Sequence, residues 1–244
     1  MVVAKPVLRR AVRGVLVGRP RARIDPAAGR FTRADADRVF AATWQHHRAL
    51  ASRRPREPTV GARQNVLLAC LTVAFFRSLL ESGIERAYAI ELVGDAAWRV
   101  YARWGRLAAA LTAPVGGEPS ARLRRRVDLF LHYPFGRPAY GYRDRLEPRG
   151  RAFDMLRCPI AEYMRAHDAA DLCVGTWCNL DFPLAEMWGG HLERTGTLAG
   201  GAQVCDFRFL AGPANGDAGV PTRSQMRSPG PGSSSSARAA APRR

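Results

Sequence analysis

Four of the five cysteines fall between residues 151 and 210: Cys158, Cys173, Cys178 and Cys205. A thiol in such a set can be a metal ligand, a nucleophile or an inert core group. The gaps between them hold 14, 4 and 26 residues. No Cys-x-x-Cys pair occurs, and no histidine stands at zinc-finger spacing. No metal or other cofactor is therefore expected, although Cys158 and Cys205, both at strand positions, could meet across a sheet and bind a metal there. Buried inert thiols are one reading; a nucleophilic or substrate-touching cysteine is the other. Asp181 follows Cys178 by three residues, so the two can share a helix face. It also precedes Phe182-Pro183, where an aspartate would cap a helix. Glu186, Glu193 and Asp206 are further carboxylates. Arg194 and Arg208 lie in strand-like stretches, where a guanidinium fork can clamp a carboxylate or form a surface ion pair. His167 and His191 can be bases or plain boundary residues.

The elements that must position these groups follow from periodicity. Thr32 with Asp35 resembles a capping box. It opens a helix whose one face carries Val39, Phe40, Thr43, Trp44, His47 and Leu50. Asn65 can cap a second helix that runs to Ser82 and stops at Gly83. That helix is apolar nearly all round and should be central, with Cys70 as a small core residue. A third helix is expected over Glu85 to Leu111, with Tyr101 and Trp104 in its apolar stripe and Gly94 loosening it. Leu123, Val127 and Phe130 mark a shorter fourth. Residues 132–150 lack a period and read as a long loop anchored by Tyr133, Phe135, Tyr140 and Tyr142.

The pattern then changes. Arg151 to Arg157 alternates, with Phe153 and Met155 on one face, as a strand does. Cys158-Pro159 opens a helix ending near His167. Asp171 can cap another helix carrying Cys173 and Cys178, interrupted at Asp181-Phe182-Pro183. Leu192 to Leu198 and Gln203 to Phe209 read as two strands of a hairpin turning at Ala199-Gly200-Gly201-Ala202. On the second, Cys205, Phe207 and Phe209 share one face; Asp206 and Arg208 share the other. The expected class is α+β: N-terminal helices packed on a small antiparallel sheet with intervening helices. Residues 1–30 read as a basic lead-in, partly disordered, with at most a short strand or helical turn at Val15–Val17. Residues 31–210 form a single domain, and residues 211–244 a disordered Gly/Pro/Ser/Arg tail.

Composition bounds the function. The chain has 244 residues, 47% hydrophobic and 24% charged, an ordinary globular mix. Its net charge of +17 invites a nucleic-acid reading. The charge avoids the cysteine-bearing segment, however: residues 151–210 carry 5 Lys/Arg against 8 Asp/Glu, and residues 1–60 carry 14 against 4. Lys5 is the only lysine. Arginine in place of lysine, with abundant Ala, Gly and Pro, reads as coding bias. A nucleic-acid partner is accordingly not expected, and an N-terminal arm touching phosphates is the alternative. Residues 1–24 lack acidic side chains, as a transit peptide does, but also lack serine. The longest uncharged run, between Arg63 and Arg77, holds 13 residues against the roughly 20 of a membrane helix, so no membrane partner is expected. Reduced thiols point to the cytoplasm. No phosphate loop, His-Glu-x-x-His or Gly-x-Ser-x-Gly is present.

The C-terminal half, taken together, resembles a known family. The run Cys158-Pro159, Glu162-Tyr163, Asp171-Leu172-Cys173, Cys178-Asn179-Leu180-Asp181, Leu192-Glu193-Arg194-Thr195, Thr197-Leu198-Ala199-Gly200-Gly201 and Cys205-Asp206-Phe207-Arg208-Phe209 is similar to that of the L-2-amino-thiazoline-4-carboxylic acid hydrolases. The likeness covers about 150–210 and extends loosely over 64–111. It implies hydrolytic ring opening of a cyclic amidine: water attacks the carbon between nitrogen and sulfur, and the C–S bond breaks. Asp181 would pair with the amidinium. Arg194 or Arg208, with Asp206 nearby, would hold the rest of the substrate. Cys178, Cys158 or Cys205 would supply the base or nucleophile. A non-catalytic small-molecule or metal-binding domain on the same scaffold is the rival.

Overall fold

The computed structural model describes residues 5–212, so the expected tail beyond Gly212 lies outside the described residues. The class is α+β. Helices α1 (Lys5–Leu16), α2 (Arg33–Ser52), α3 (Val60–Glu81), α4 (Arg86–Thr112) and α5 (Pro119–His132) precede a sheet of β1 (Gly141–Arg145), β2 (Gly150–Arg157), β3 (Gly190–Glu193) and β4 (Cys205–Ala211). Between β2 and β3 run α6 (Pro159–Arg165), α7 (Ala170–Cys173), a π-helical turn (Val174–Cys178) and α8 (Asp181–Met187). The sheet order is β1-β2-β4-β3, and each neighbouring pair is antiparallel.

Local chemistry explains most boundaries. Thr32 and Asp35 form the reciprocal capping box at the start of α2, with Asp35 N donating to Thr32 Oγ1 and Thr32 N to Asp35 Oδ2. Gly83, at φ 76°, ends α3 in the left-handed conformation that glycine adopts without strain. The start of α3 differs from expectation. Thr59 caps it, its hydroxyl accepting from Ala62 N, and Asn65 lies one turn inside, buried and donating to the Tyr140 hydroxyl at 2.9 Å. Among the described residues α3 alone is long and apolar enough to cross a membrane, yet its most apolar window is 56% buried within the fold, as a core helix is.

The lead-in holds more structure than its composition indicates. Lys5–Leu16 is helix α1, and Leu8, Val12, Val15 and Leu16 lie on one face buried in the same core as α3 and α4. Its arginines point the other way: Arg9 and Arg13 both donate to Asp37 of α2. Arg19 and Arg23 reach Asp95 and Glu91 of α4. Arginine density hides an ordinary amphipathic helix.

Two further corrections concern the sheet. The stretch 132–150 contains β1, a polar edge strand rather than loop throughout. Arg143 and Arg145 alternate along it and both reach the buried Asp154 on β2. Charge pairing replaces the apolar alternation that betrays a strand in sequence. At the other edge β3 and β4 pair as expected, but β3 is shorter and β4 begins two residues later. The chain leaves the ladder after Glu193 and rejoins it at Cys205. Asp206 holds that longer loop, accepting from Thr195 N, Thr195 Oγ1 and Gly196 N. On β2, Phe153 and Met155 share the inner face, as alternation requires.

Two glycines let helices approach the site closely. A Cβ on Gly175 would lie 2.5 Å from Ile90 Cγ2 of α4, so the π-helical turn can seat against α4 only with glycine there. A Cβ on Gly105 would meet Leu184 Cδ1 of α8 at 2.5 Å, and the Gly105 carbonyl accepts from Trp188 Nε1 at 3.0 Å.

Leu16 is wholly buried. Leu16→Ala is expected to lower the unfolding free energy by about 2–5 kcal/mol, as other buried leucines do. Urea denaturation checks this; a change below about 0.5 kcal/mol would mean that α1 is not part of the core.

Candidate active site

Between the sheet and the helices lies a cavity of about 90 Å³. A water takes roughly 10–15 Å³ on this scale, so several waters or one small ligand fit. The sheet contributes Phe153, Met155, Cys205, Phe207 and Phe209; the helices add Tyr101, Phe130, Trp177 and Trp188 among others. Phe153 and Phe207 stack at 4.8 Å. Cys158, Cys173 and Cys178 complete the thiol set with Cys205. All four cysteines of the segment 151–210 therefore meet around one cavity, joined by a single carboxylate, Asp181.

Asp181 is the first residue of α8, but it caps nothing, because Leu180 before it is already helical. Its carboxylate turns inward instead. Oδ1 accepts from the Tyr101 hydroxyl at 3.0 Å, and Oδ2 from Arg194 Nη1 at 3.1 Å. Burial pushes the Asp181 carboxyl up to about 6, against the opposing pull of Arg194 and Tyr101. Tyr101, buried beside it, is pushed well above the usual phenol range, so it stays a donor.

Arg194 follows β3 directly and has only 3% of its side chain exposed. Its Nη2 donates to the Cys178 carbonyl at 2.9 Å, and its guanidinium carbon lies 5.0 Å from the Phe182 ring and 5.1 Å from the Phe207 ring. It does not line the cavity. Arg194 is thus a positioning residue behind Asp181, not a fork facing substrate. The expectation for Arg208 and Asp206 also fails on geometry. Both stand on the outer face of β4, because Cys205, Phe207 and Phe209 take the inner face. Asp206 is spent on the loop at Thr195 and Gly196. Glu186 and Glu193 do not line the cavity either. His191 Nδ1 lies 3.1 Å from the Gly212 carbonyl, and His167 packs at a tilt against Tyr163; neither lines the cavity.

The thiols are not equivalent. Burial pushes Cys158 and Cys205 up to about 12. Cys178 goes the other way. The hydrogen-bonding Cys173 thiol beside it, then the charge of Arg194, hold it below the ordinary cysteine range against burial. Cys173 is correspondingly raised. Cys178 ends the π-helical turn, a widened turn of the kind that often marks functional positions. No group of three or more His, Cys, Asp or Glu side chains among the described residues is disposed to hold a metal ion. Tyr101 is the member that sequence reasoning missed. It lies 80 residues before Asp181 and reads there as one more stripe residue.

One carboxylate, four thiols and a set of aromatic rings thus line one cavity between the sheet and the helices. The chain belongs to the L-2-amino-thiazoline-4-carboxylic acid hydrolase family, whose model matches residues 67–209. That range runs from within α3 to within β4 and so holds Tyr101, Asp181, Arg194 and all four cavity cysteines; α1 and α2 lie before it. No curated protein and no solved structure matches the chain.

The environments predict an order of alkylation. With iodoacetamide, Cys178 should be modified before Cys158 and Cys205, as peptide mass spectrometry would show over a pH series. Equal rates at neutral pH would mean that the environment does not separate the thiols.

Proposed function

We propose that the protein hydrolyses a cyclic amidine, opening the ring at its C–S bond. The observation that carries this reading is that Asp181, paired from behind by Arg194, faces the cavity. It is the one charged side chain lining a cavity otherwise made of rings, aliphatic groups and thiols. A desolvated carboxylate calls for a cation, and an amidinium offers two parallel N–H donors to its free lone pairs. The family's name supports the same chemistry.

In this reading Asp181 holds the amidinium in place and keeps it protonated, which makes its central carbon electrophilic. Cys178, as thiolate, takes a proton from water while the oxygen bonds to that carbon. The tetrahedral adduct loses its hydroxyl proton to solvent and collapses to a carbonyl, the C–S bond breaks, and the proton held by Cys178 passes to the leaving sulfur. The balance is one water consumed and one proton released per amidinium, and the product is a ring-opened urea bearing a free thiol. Arg194 keeps Asp181 ionised and fixes the Cys178 backbone. The aromatic walls keep bulk water from competing. All five cysteines are free, and a reducing compartment such as the cytoplasm would keep Cys178 available.

Because Asp181 must be ionised to hold a cation, kcat/KM should fall as pH drops through about 6. Thiol release from 2-amino-2-thiazoline and from its 4-carboxylate measures this. Asp181→Asn and Cys178→Ala should each lower the rate by about 10²–10⁴ with unchanged circular dichroism. Full activity in both folded variants would overturn the site.

A further inference from the structure

A second cavity of about 130 Å³ adjoins the first. It lies between α1, α3 and α4, where Val12, Leu68, Phe75 and Ala97 face it. The two cavities share a wall of four aromatic side chains, Tyr101, Phe130, Phe135 and Trp177. Tyr101 donates to Asp181 at one end while its ring faces the second cavity, so the carboxylate is one side chain away from the outer chamber. At the far end Val100, Trp104 and Tyr133 are 43%, 37% and 38% exposed, which puts an apolar rim in contact with solvent.

Neither cavity has a Lys, Arg or His side chain in its lining. The polar groups of the outer chamber are already engaged. Gln64 accepts from Tyr133, Asn65 donates to Tyr140, and Thr72 accepts from Trp177 Nε1 while donating to the Leu68 carbonyl. A ligand carboxylate in either cavity would meet no cation and would sit close to Asp181, a like charge. An alkyl or aryl group in the outer chamber would displace poorly held water and meet matching surface.

We infer that this chain takes an amphipathic amidine: a cationic head at Asp181 and, in place of a carboxylate, an apolar arm that passes the Tyr101 wall into the chamber under α1. The inference rests on the proposed role of Asp181 and names the substrate class for it. It also gives α1, which precedes the family match, a part in binding through Leu8, Ala11 and Val12.

Titration calorimetry with acetamidine, butanamidine, hexanamidine and octanamidine tests it, with 5-carboxypentanamidine as the anionic counterpart of hexanamidine. Affinity should rise about fourfold per methylene over the first few carbons. The carboxylated probe should bind at least about tenfold more weakly than hexanamidine, since it leaves a charge unpaired in an apolar site. Asp181→Asn should weaken every member, and Ala97→Phe should shrink the octanamidine-to-acetamidine ratio. Should Ala97→Phe fail to fold, the series on the unaltered protein decides. Binding that depends on Asp181 but not on chain length would overturn the arm and leave the head site standing; so would tighter binding of the carboxylated probe. No binding by any member would overturn the head site, and the arm with it.

Discussion

Asp181 and Arg194 meet at 3.1 Å with only 16% and 3% of their side chains exposed, and the surrounding structure has to satisfy them. Removing two charges from water costs several kcal/mol each, and their attraction repays this only when the remaining donors and lone pairs are also used. Here they are. Tyr101 from α4 takes one carboxylate oxygen, the Cys178 carbonyl takes the second guanidinium nitrogen, and Phe182 and Phe207 cover the guanidinium faces. Each partner comes from a different element, so the pair ties α4, the π-helical turn, α8, the end of β3 and β4 together.

The thiols around that pair differ in their surroundings. Cys178 is influenced by Arg194 and by the Cys173 thiol, and its acidity increases. In Cys158 and Cys205 desolvation dominates, and their acidity falls. Cys178 is thereby the reactive candidate among the four. The carboxylate is left as the single charged side chain lining an apolar space, and the proposed preference for a cation rests on that. The guanidinium, which alone would attract an anion, is turned away from that space.

Much of this was legible in the sequence, for identifiable reasons. The Thr32–Asp35 cap, the Phe153/Met155 alternation and the inner face of β4 are local patterns, and local patterns survive folding. The Cys178–Asp181 spacing likewise pointed to one site. What failed was non-local or disguised. Helix α1 carries its apolar residues at helical spacing but buries them among arginines. Strand β1 is held by Arg143 and Arg145 on Asp154, so it shows no apolar alternation. Asn65 looks like a cap but serves Tyr140, 75 residues away. Arg194 looked like a substrate fork because nothing in its neighbours shows that Asp181 and the Cys178 carbonyl occupy its nitrogens.

The measurement that bears most directly on this account is the titration of Asp181 itself, followed by carbon-13 NMR of its carboxyl carbon and assigned by loss of the signal in Asp181→Asn. The account predicts a midpoint near 6, set by burial and moderated by Arg194 and Tyr101. A midpoint at or below the ordinary value of about 3.9 would mean that Arg194, Tyr101 or water stabilises the anion at least as much as burial penalises it, and the destabilised carboxylate on which the site depends would not exist.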